Sequence, residues 1–359
     1  MGGEIRHYHS LTSQKKALSV IQSVWDSGDE WMVLGGGSNI VVSDQTFDGH
    51  VLHVRWQGKQ QRDGAANTVL LTVQAGEAWD DLVAYTVTAG LQGLESLSGI
   101  PGGVGASVVQ NIGAYGYELD HVLEAVEFLD YEDRQQKTLT ASELGLAHRT
   151  SSLKTGEQRG IVLSVSFRLV KSSHSLPIAY PQLADHIGVQ PGESVPLETL
   201  RSAVLSLRKS KGMVLDPGDK DSRSVGSFFV NPVVSEKFAY SLPVTAPKWL
   251  LTHSSSQVVD LSISSSEKAS SENPGVVNDE PMVKLSAAWL IEHSGIKRGF
   301  SLPGNAAKVS SKHTLALTNP GGATAEDIAS LARYIRTQVA NTTGVVLQPE
   351  PSFIGLSLD

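Results

Sequence analysis

The chain is 359 residues long, contains no cysteine and carries a formal net charge of −8. That length accommodates two or three domains, the missing thiols exclude disulfides, thiolate metal sites and a cysteine nucleophile, and the acidic balance argues against a nucleic-acid partner held by phosphate neutralisation. No run of about 18 apolar residues and no signal-peptide core occur, so a cytoplasmic protein away from the membrane is expected.

Along the chain, Ser13 to Ser27 reads as a helix, with Ser13 as cap, Ala17, Leu18, Ile21, Val24 and Trp25 on one face and Gly28 past its end. Segments 31–34, 50–56 and 68–76 read as strands, and 79–91 as a helix stopped at Gly90. Residues 122–140 alternate like a hairpin with a polar turn at 132–136, and 160–170 is a strand. Helices are expected over 198–209, 283–295 and 324–340; the last places Ile328, Leu331, Ile335 and Val339 on one stripe behind a Thr324 cap. Segment 170–175 reads as a linker, and the serine-rich run 253–280 as a mobile insertion.

Two stretches are unusually bare. GGGSN (35–39) follows a strand, and SGIPGGVGASVVQNIGAYG (98–116) holds six glycines and almost no charge. Glycine loses the most backbone entropy on folding, so such runs point to close backbone approach, often to a phosphate. Val108 stands where a Rossmann fingerprint needs its third glycine. Two bare loops together suggest a long diphosphate ligand, with Gln110 and Asn111 either hydrogen-bonding a heterocycle or sugar or forming a satisfied buried amide pair. Arg149, in AHRTSSLK, suits two-pronged binding of a carboxylate, although a surface salt bridge accounts for it equally well. Ser227, in VGSFFVNP, has no Gly-x-Ser-x-Gly elbow around it, so it reads as a proton donor with Lys211 as a candidate cation, or as a plain turn serine with Lys211 at a solvated helix end, rather than as a nucleophile. Glu350 is held between two prolines in QPEP, as a rigid carboxylate or a plain tail residue. The eleven histidines form no metal motif, and no metal is expected.

Taken together and in this order, GGGSN, SGIPGGVGASVVQNIGAYG, HRTSSLK, GSFFVNP and QPEP resemble the UDP-N-acetylenolpyruvoylglucosamine reductase family over nearly the whole chain. KGMVLDP, GGATAEDI and PEPSFIG are similar to its actinobacterial branch. The resemblance implies an α+β protein whose FAD-binding domain is of the PCMH/vanillyl-alcohol-oxidase type, followed by a smaller α+β substrate-binding domain. The matching divisions are 1–170 for the FAD domain, 171–210 for a linker and substrate loop, 211–345 for the substrate domain with its insertion at 253–280, and 346–359 for a segment returning to the active site.

The implied reaction is NADPH-dependent reduction of UDP-N-acetylglucosamine enolpyruvate to UDP-N-acetylmuramate through FAD, in peptidoglycan precursor synthesis, by a monomer. The implied FAD contacts are Gly35, Gly36, Gly37, Ser38, Asn39, Ser98, Gly99, Ile100, Pro101, Gly102, Gly105, Ala106, Gln110, Asn111, Gly113, Ala114 and Ile161. Arg149 and Glu350 are implied to stabilise charge on the substrate, and Ser227 to donate the completing proton. Tyr180, Lys211 and Asn231 are implied to touch the sugar nucleotide or nicotinamide side. His148 and Leu153 depart from the aromatics common in the family. The start, MGGEIRHYHS, resembles the second half of a Thr-x-x-x-Gly-Gly motif, which implies a preceding FAD-domain segment. Two other readings stay open on the residues: another flavin oxidoreductase on the same fold, and a catalytically silent truncated relative.

Overall fold

The computed structural model describes residues 2–251 and 281–358, so the expected insertion at 253–280 lies outside the described residues. The chain opens with β1 (Ile5–Leu11), α1 (Gln14–Ser27), β2 (Trp31–Leu34), β3 (Ile40–Val42) and β4 (Phe47–Val54). β1 and β2 both pair in parallel with β4, which lies between them. α1 buries Ala17, Ile21, Val24 and Trp25, as its 3.6-residue spacing requires. Gly28 ends it at φ +75°, in the left-handed region where glycine carries no Cβ penalty. Ser13 precedes it in extended conformation, but its side chain makes no capping bond.

β5 (Lys59–Asp63) and β6 (Thr68–Gln74) begin the main sheet, followed by α2 (Trp79–Thr88), the short β7 (Leu91–Gln92) and α3 (Val104–Val109). β8 (Gly113–Ala114) and β9 (Tyr117–Glu118) form a small ribbon. The expected hairpin is β10 (Leu123–Asp130) and β11 (Gln136–Thr140). After α4 (Ser152–Thr155), the long β12 (Gly160–Lys171) completes a sheet of order β11-β10-β12-β6-β5, with β7 pairing β12. Trp56, Leu71, Trp79, Phe128 and Phe167 lie at its centre, all almost fully buried.

α5 (Pro181–Ile187) and α6 (Leu197–Ser210) enclose a small cluster of Ile178, Leu183, Leu200 and Val204. The rest comprises β13 (Ser224–Ser227), β14 (Val233–Ser235), α7 (Glu236–Ser241), β15 (Lys248–Leu251), β16 (Met282–Leu285), α8 (Ala287–His293), β17 (Lys308–Val309), β18 (Ala316–Thr318), α9 (Ala325–Thr343) and β19 (Ser352–Ile354). α9 buries the expected stripe, and Thr324 and Asp327 close a reciprocal capping box. The helix expected over 283–295 is shorter than its pattern. Met282–Leu285 is a strand between β14 and β15, and Ser286 caps the helix by accepting from the Trp289 amide.

β19 places the site. It pairs in parallel with β3, Ser352 opposite Ile40 and Ile354 opposite Val42, so the chain's end lies beside its start. Just before it, the Glu350 amide donates to Phe228 O at 2.8 Å and the Val230 amide to Gln348 O at 3.0 Å. Residues 348–352 are therefore bonded on one side to the loop after β13 and on the other to the strand leaving GGGSN.

Candidate active site

The two bare loops touch backbone to backbone. A Cβ on Gly36 would lie 2.8 Å from Gly102 Cα, and one on Gly35 would lie 3.2 Å from Ala106 Cβ. Gly102 has φ +121°, and Ser38 Oγ donates to Pro101 O at 3.0 Å, fixing one loop on the other. Glycine is needed at position 36 for space and at position 102 for its backbone conformation. Among the described residues, the amides of Gly35 to Asn39 and of Ile100, Gly102 and Gly103 have no protein acceptor. Successive free amides along two touching glycine loops are the donor set a diphosphate requires, so these residues fit the pyrophosphate of FAD.

Arg149 and Glu350 meet beside these loops. Arg149 occupies a tight turn closed by paired bonds between Ala147 and Thr150, with φ +58°, a conformation a non-glycine residue holds only under constraint. Its guanidinium supplies that constraint: Nη1 donates to Asn111 O at 3.3 Å and Nη2 to Gly113 O at 2.5 Å. Its Nε lies 3.4 Å from Glu350 Oε1. The same carboxyl oxygen accepts from Gln110 Nε2 at 2.6 Å, and Asn39 Nδ2 donates to Gln110 Oε1. Burial pushes the Glu350 carboxyl above the usual carboxylate range, with the charges of Arg149, Lys154 and His148 and the Gln110 amide offsetting only part of that rise. Glu118 behaves oppositely. Burial works against its ionised form, but the hydrogen bond and charge of His148 and the charge of Arg149 hold it below the usual range.

Ser227 ends β13, and Gly226 before it has φ +78° with open space where a side chain would be. Behind it Phe228 and Phe229 are fully buried and packed edge-to-face, 5.1 Å between centroids, which anchors the loop and leaves the serine at the surface of a cavity. That cavity is lined by Ser38, Asn39, Ile100, Pro101, Gly102, Ala106, Gln110, Gly113, Arg149, Ser227 and Glu350. A second opening on the other side of the touching loops is lined by Gly35, Gly36, Gly102 and Gly103 together with Thr12, His53, Arg55 and Glu77.

The other expected contacts sit elsewhere. Ser98 is buried and donates to Glu95 O at 2.6 Å, while Gly99 donates its amide to Asp80 Oδ1 at 2.6 Å. Gly105 packs against Ala75, and Gly37 and Ala114 flank the cavity's loops without lining it. Asn111 is fully buried and acts as scaffold, donating to Ala147 O at 3.1 Å and accepting from the Asp120 amide at 3.1 Å. The Ile161 side chain is in the main core, and Asn231 Oδ1 accepts from the Ala287 amide at the start of α8. Tyr180 is 39% exposed with its ring edge-on to Tyr115, and Lys211 Nζ donates to Gln182 Oε1 at 3.0 Å.

Three residues at the site have no counterpart among the expected ones. Lys154 donates to the carbonyls of Arg149 and Glu350, Glu118 braces Arg149 and His148, and Arg208 lines the cavity from α6 with its Nε unpartnered among the described residues. Lys154 carried a signal, since it closes the HRTSSLK motif. Arg208 and Glu118 carried none, because their burial depends on partners distant in sequence.

Comparisons with known proteins show the family. The family model described as UDP-N-acetylenolpyruvoylglucosamine reductase, C-terminal domain, matches residues 216–354, and one described as FAD binding domain matches residues 6–139. Over its full length the chain is 50% identical to the UDP-N-acetylenolpyruvoylglucosamine reductase of Leifsonia xyli subsp. xyli, covering 96% of that protein. It is 42% identical to the protein of the same name in Thermobifida fusca, covering 100% of this chain and 95% of that one. A solved UDP-N-acetylenolpyruvylglucosamine reductase from Thermus caldophilus shares the fold, with a TM-score of 0.58 over 94% of this chain and 89% of that one at 24% identity.

Proposed function

The chain belongs to the UDP-N-acetylenolpyruvoylglucosamine reductase family, and on that premise we propose which of its residues carry the reaction. The reaction is the NADPH-dependent reduction of UDP-N-acetylglucosamine enolpyruvate to UDP-N-acetylmuramate, a step of peptidoglycan precursor synthesis, and FAD is the cofactor. When bound, FAD supplies hydride transfer from NADPH to the terminal carbon of the enolpyruvyl double bond.

The free amides of 35–39 and 100–103 hold the FAD diphosphate. Arg149 receives the substrate carboxylate and meets the negative charge that develops next to it as hydride arrives. Its guanidinium is already fixed by Asn111 O and Gly113 O, so little reorganisation accompanies the charge. Ser227 hands its hydroxyl proton to the adjacent carbon, which completes the lactyl group and leaves an alkoxide that takes a proton back from solvent. Glu350 works in its protonated form. An ionised carboxylate would repel the enolate, and burial favours the neutral acid. Tyr180 and Lys211 face the far end of the sugar nucleotide, and Asn231 holds α8 in place. We read the protein as a monomer acting in the cytoplasm, where its nucleotide substrates are.

What carries this reading is the convergence of Ser38, Pro101, Gly102, Arg149, Ser227 and Glu350 on one cavity. Arg149→Lys tests it. Reoxidation of the reduced flavin by the enolpyruvyl substrate should fall by roughly 10²–10³, the effect of losing one prearranged charge-stabilising group, at unchanged flavin content. An unchanged reoxidation rate overturns the role.

A further inference from the structure

Lys154 lies in α4 with its ammonium drawn off the surface, into the joint between the chain's middle and its end. Nζ donates to Arg149 O at 3.0 Å and to Glu350 O at 3.2 Å. A lysine seldom gives up hydration without compensation. Burial lowers its pKa, with Glu350 pulling the other way and Arg149 adding to the lowering. The two carbonyls it bonds belong to the two residues whose side chains meet at 3.4 Å. One of them, Arg149, has a left-handed backbone that its own sequence does not favour. A rotation of either peptide plane would move the guanidinium or the carboxyl.

We propose that Lys154 is a positioning residue for the reduction: its ammonium ties the Arg149 and Glu350 backbones into one unit, and its charge faces the Glu350 carboxyl. This rests on the reading of Arg149 and Glu350 given above. The other groups facing Glu350 are Arg149 and His148 from the turn before α4 and the Gln110 amide after α3, while Glu118 opposes from behind Arg149 and His148. Without Lys154 the Arg149 guanidinium remains, and the Glu350 carboxyl holds its proton to higher pH.

The experiment follows, without oxygen, the reoxidation of NADPH-reduced holoenzyme by UDP-N-acetylglucosamine enolpyruvate across pH. The proteins compared are wild type, Lys154→Met, Lys154→Gln, Lys154→Arg and Glu350→Gln. Melting temperature and flavin content are recorded for each. Lys154→Met is expected to be at least tenfold slower at neutral pH. Its alkaline fall-off, the limb that Glu350→Gln removes, should move to higher pH. Lys154→Arg should restore most of the rate and the wild-type limb. Lys154→Gln, which keeps a donor without the charge, should show the shifted limb even if Lys154→Met loses its flavin. A limb that stays in place in both uncharged variants overturns the inference, as does a Lys154→Met rate within twofold of wild type. A wild-type profile with no limb belonging to Glu350 defeats the reading of Glu350 instead, and the Lys154→Met rate still decides the tie between the backbones.

Discussion

Arg149 Nε and Glu350 Oε1 lie 3.4 Å apart, with Gln110 on the carboxyl's other side at 2.6 Å. Each comes from a segment that could not find the other by local structure. Arg149 sits in the turn before α4, and Glu350 is delivered by the pairing of β19 with β3. The pair combines a fixed cation with a carboxyl whose pKa burial raises. That combination suits a substrate whose carboxylate must be held while negative charge grows beside it.

Ser227→Ala removes the proposed proton and little else, because the loop is anchored by Phe228 and Phe229. Flavin reduction by NADPH should stay near the wild-type rate, while substrate-driven reoxidation falls by roughly 10²–10⁴, the range of a lost general acid. Stopped-flow absorbance separates the two halves. Equal loss in both removes Ser227 from the donor role.

Gly36→Ala tests the cradle. The new Cβ would meet Gly102 Cα at 2.8 Å, backbone against backbone, and neither loop has a flexible side chain to yield. Overpacking of this kind costs about 1–3 kcal/mol, and FAD content of the purified protein should drop. Gly156→Ala is the comparison: it adds backbone strain at φ +82° in open space, so it should lower stability by about 1–2 kcal/mol and keep its flavin. Equal flavin loss in both variants would remove the touching loops from cofactor binding.

His313 gives the fold an acid sensitivity. Burial, with Lys211 and Arg298 nearby, lowers its pKa from 6.5 to about 4. In the unfolded chain it takes a proton near 6.5, whereas in the fold it stays neutral until about 4. Its contribution is thus complete above pH 6.5 and is lost as the pH falls from there towards 4, by up to about 3 kcal/mol. His313→Gln should flatten the denaturation midpoint between those values. A variant with the wild-type pH slope contradicts this.

Local chemistry made much of the fold readable. α9 announced itself by a clean stripe and a Thr324 cap, and β10 and β11 by alternation around a polar turn. β5 gave no such sign, because KQQRD is exposed along its length and is a strand only through pairing with β6. Residues 283–285 fall inside the helix expected over 283–295, but their apolar alternation at 283, 285 and 287 has a strand's period of two, and the break is set by the Ser286 cap. At the site, the glycine loops were legible from composition, and Arg149, Ser227 and Glu350 from motif order. The burial of Lys154, Glu118 and Arg208 was not. It follows from contacts such as β19 with β3, which no local pattern encodes.

The most direct test is a two-step titration without oxygen on the FAD-loaded protein. NADPH is added first and UDP-N-acetylglucosamine enolpyruvate second, with flavin absorbance followed throughout. The account predicts bleaching by NADPH and full return of colour on adding the enolpyruvyl substrate, with one lactyl product formed per flavin. Bleaching with no return of colour would contradict it.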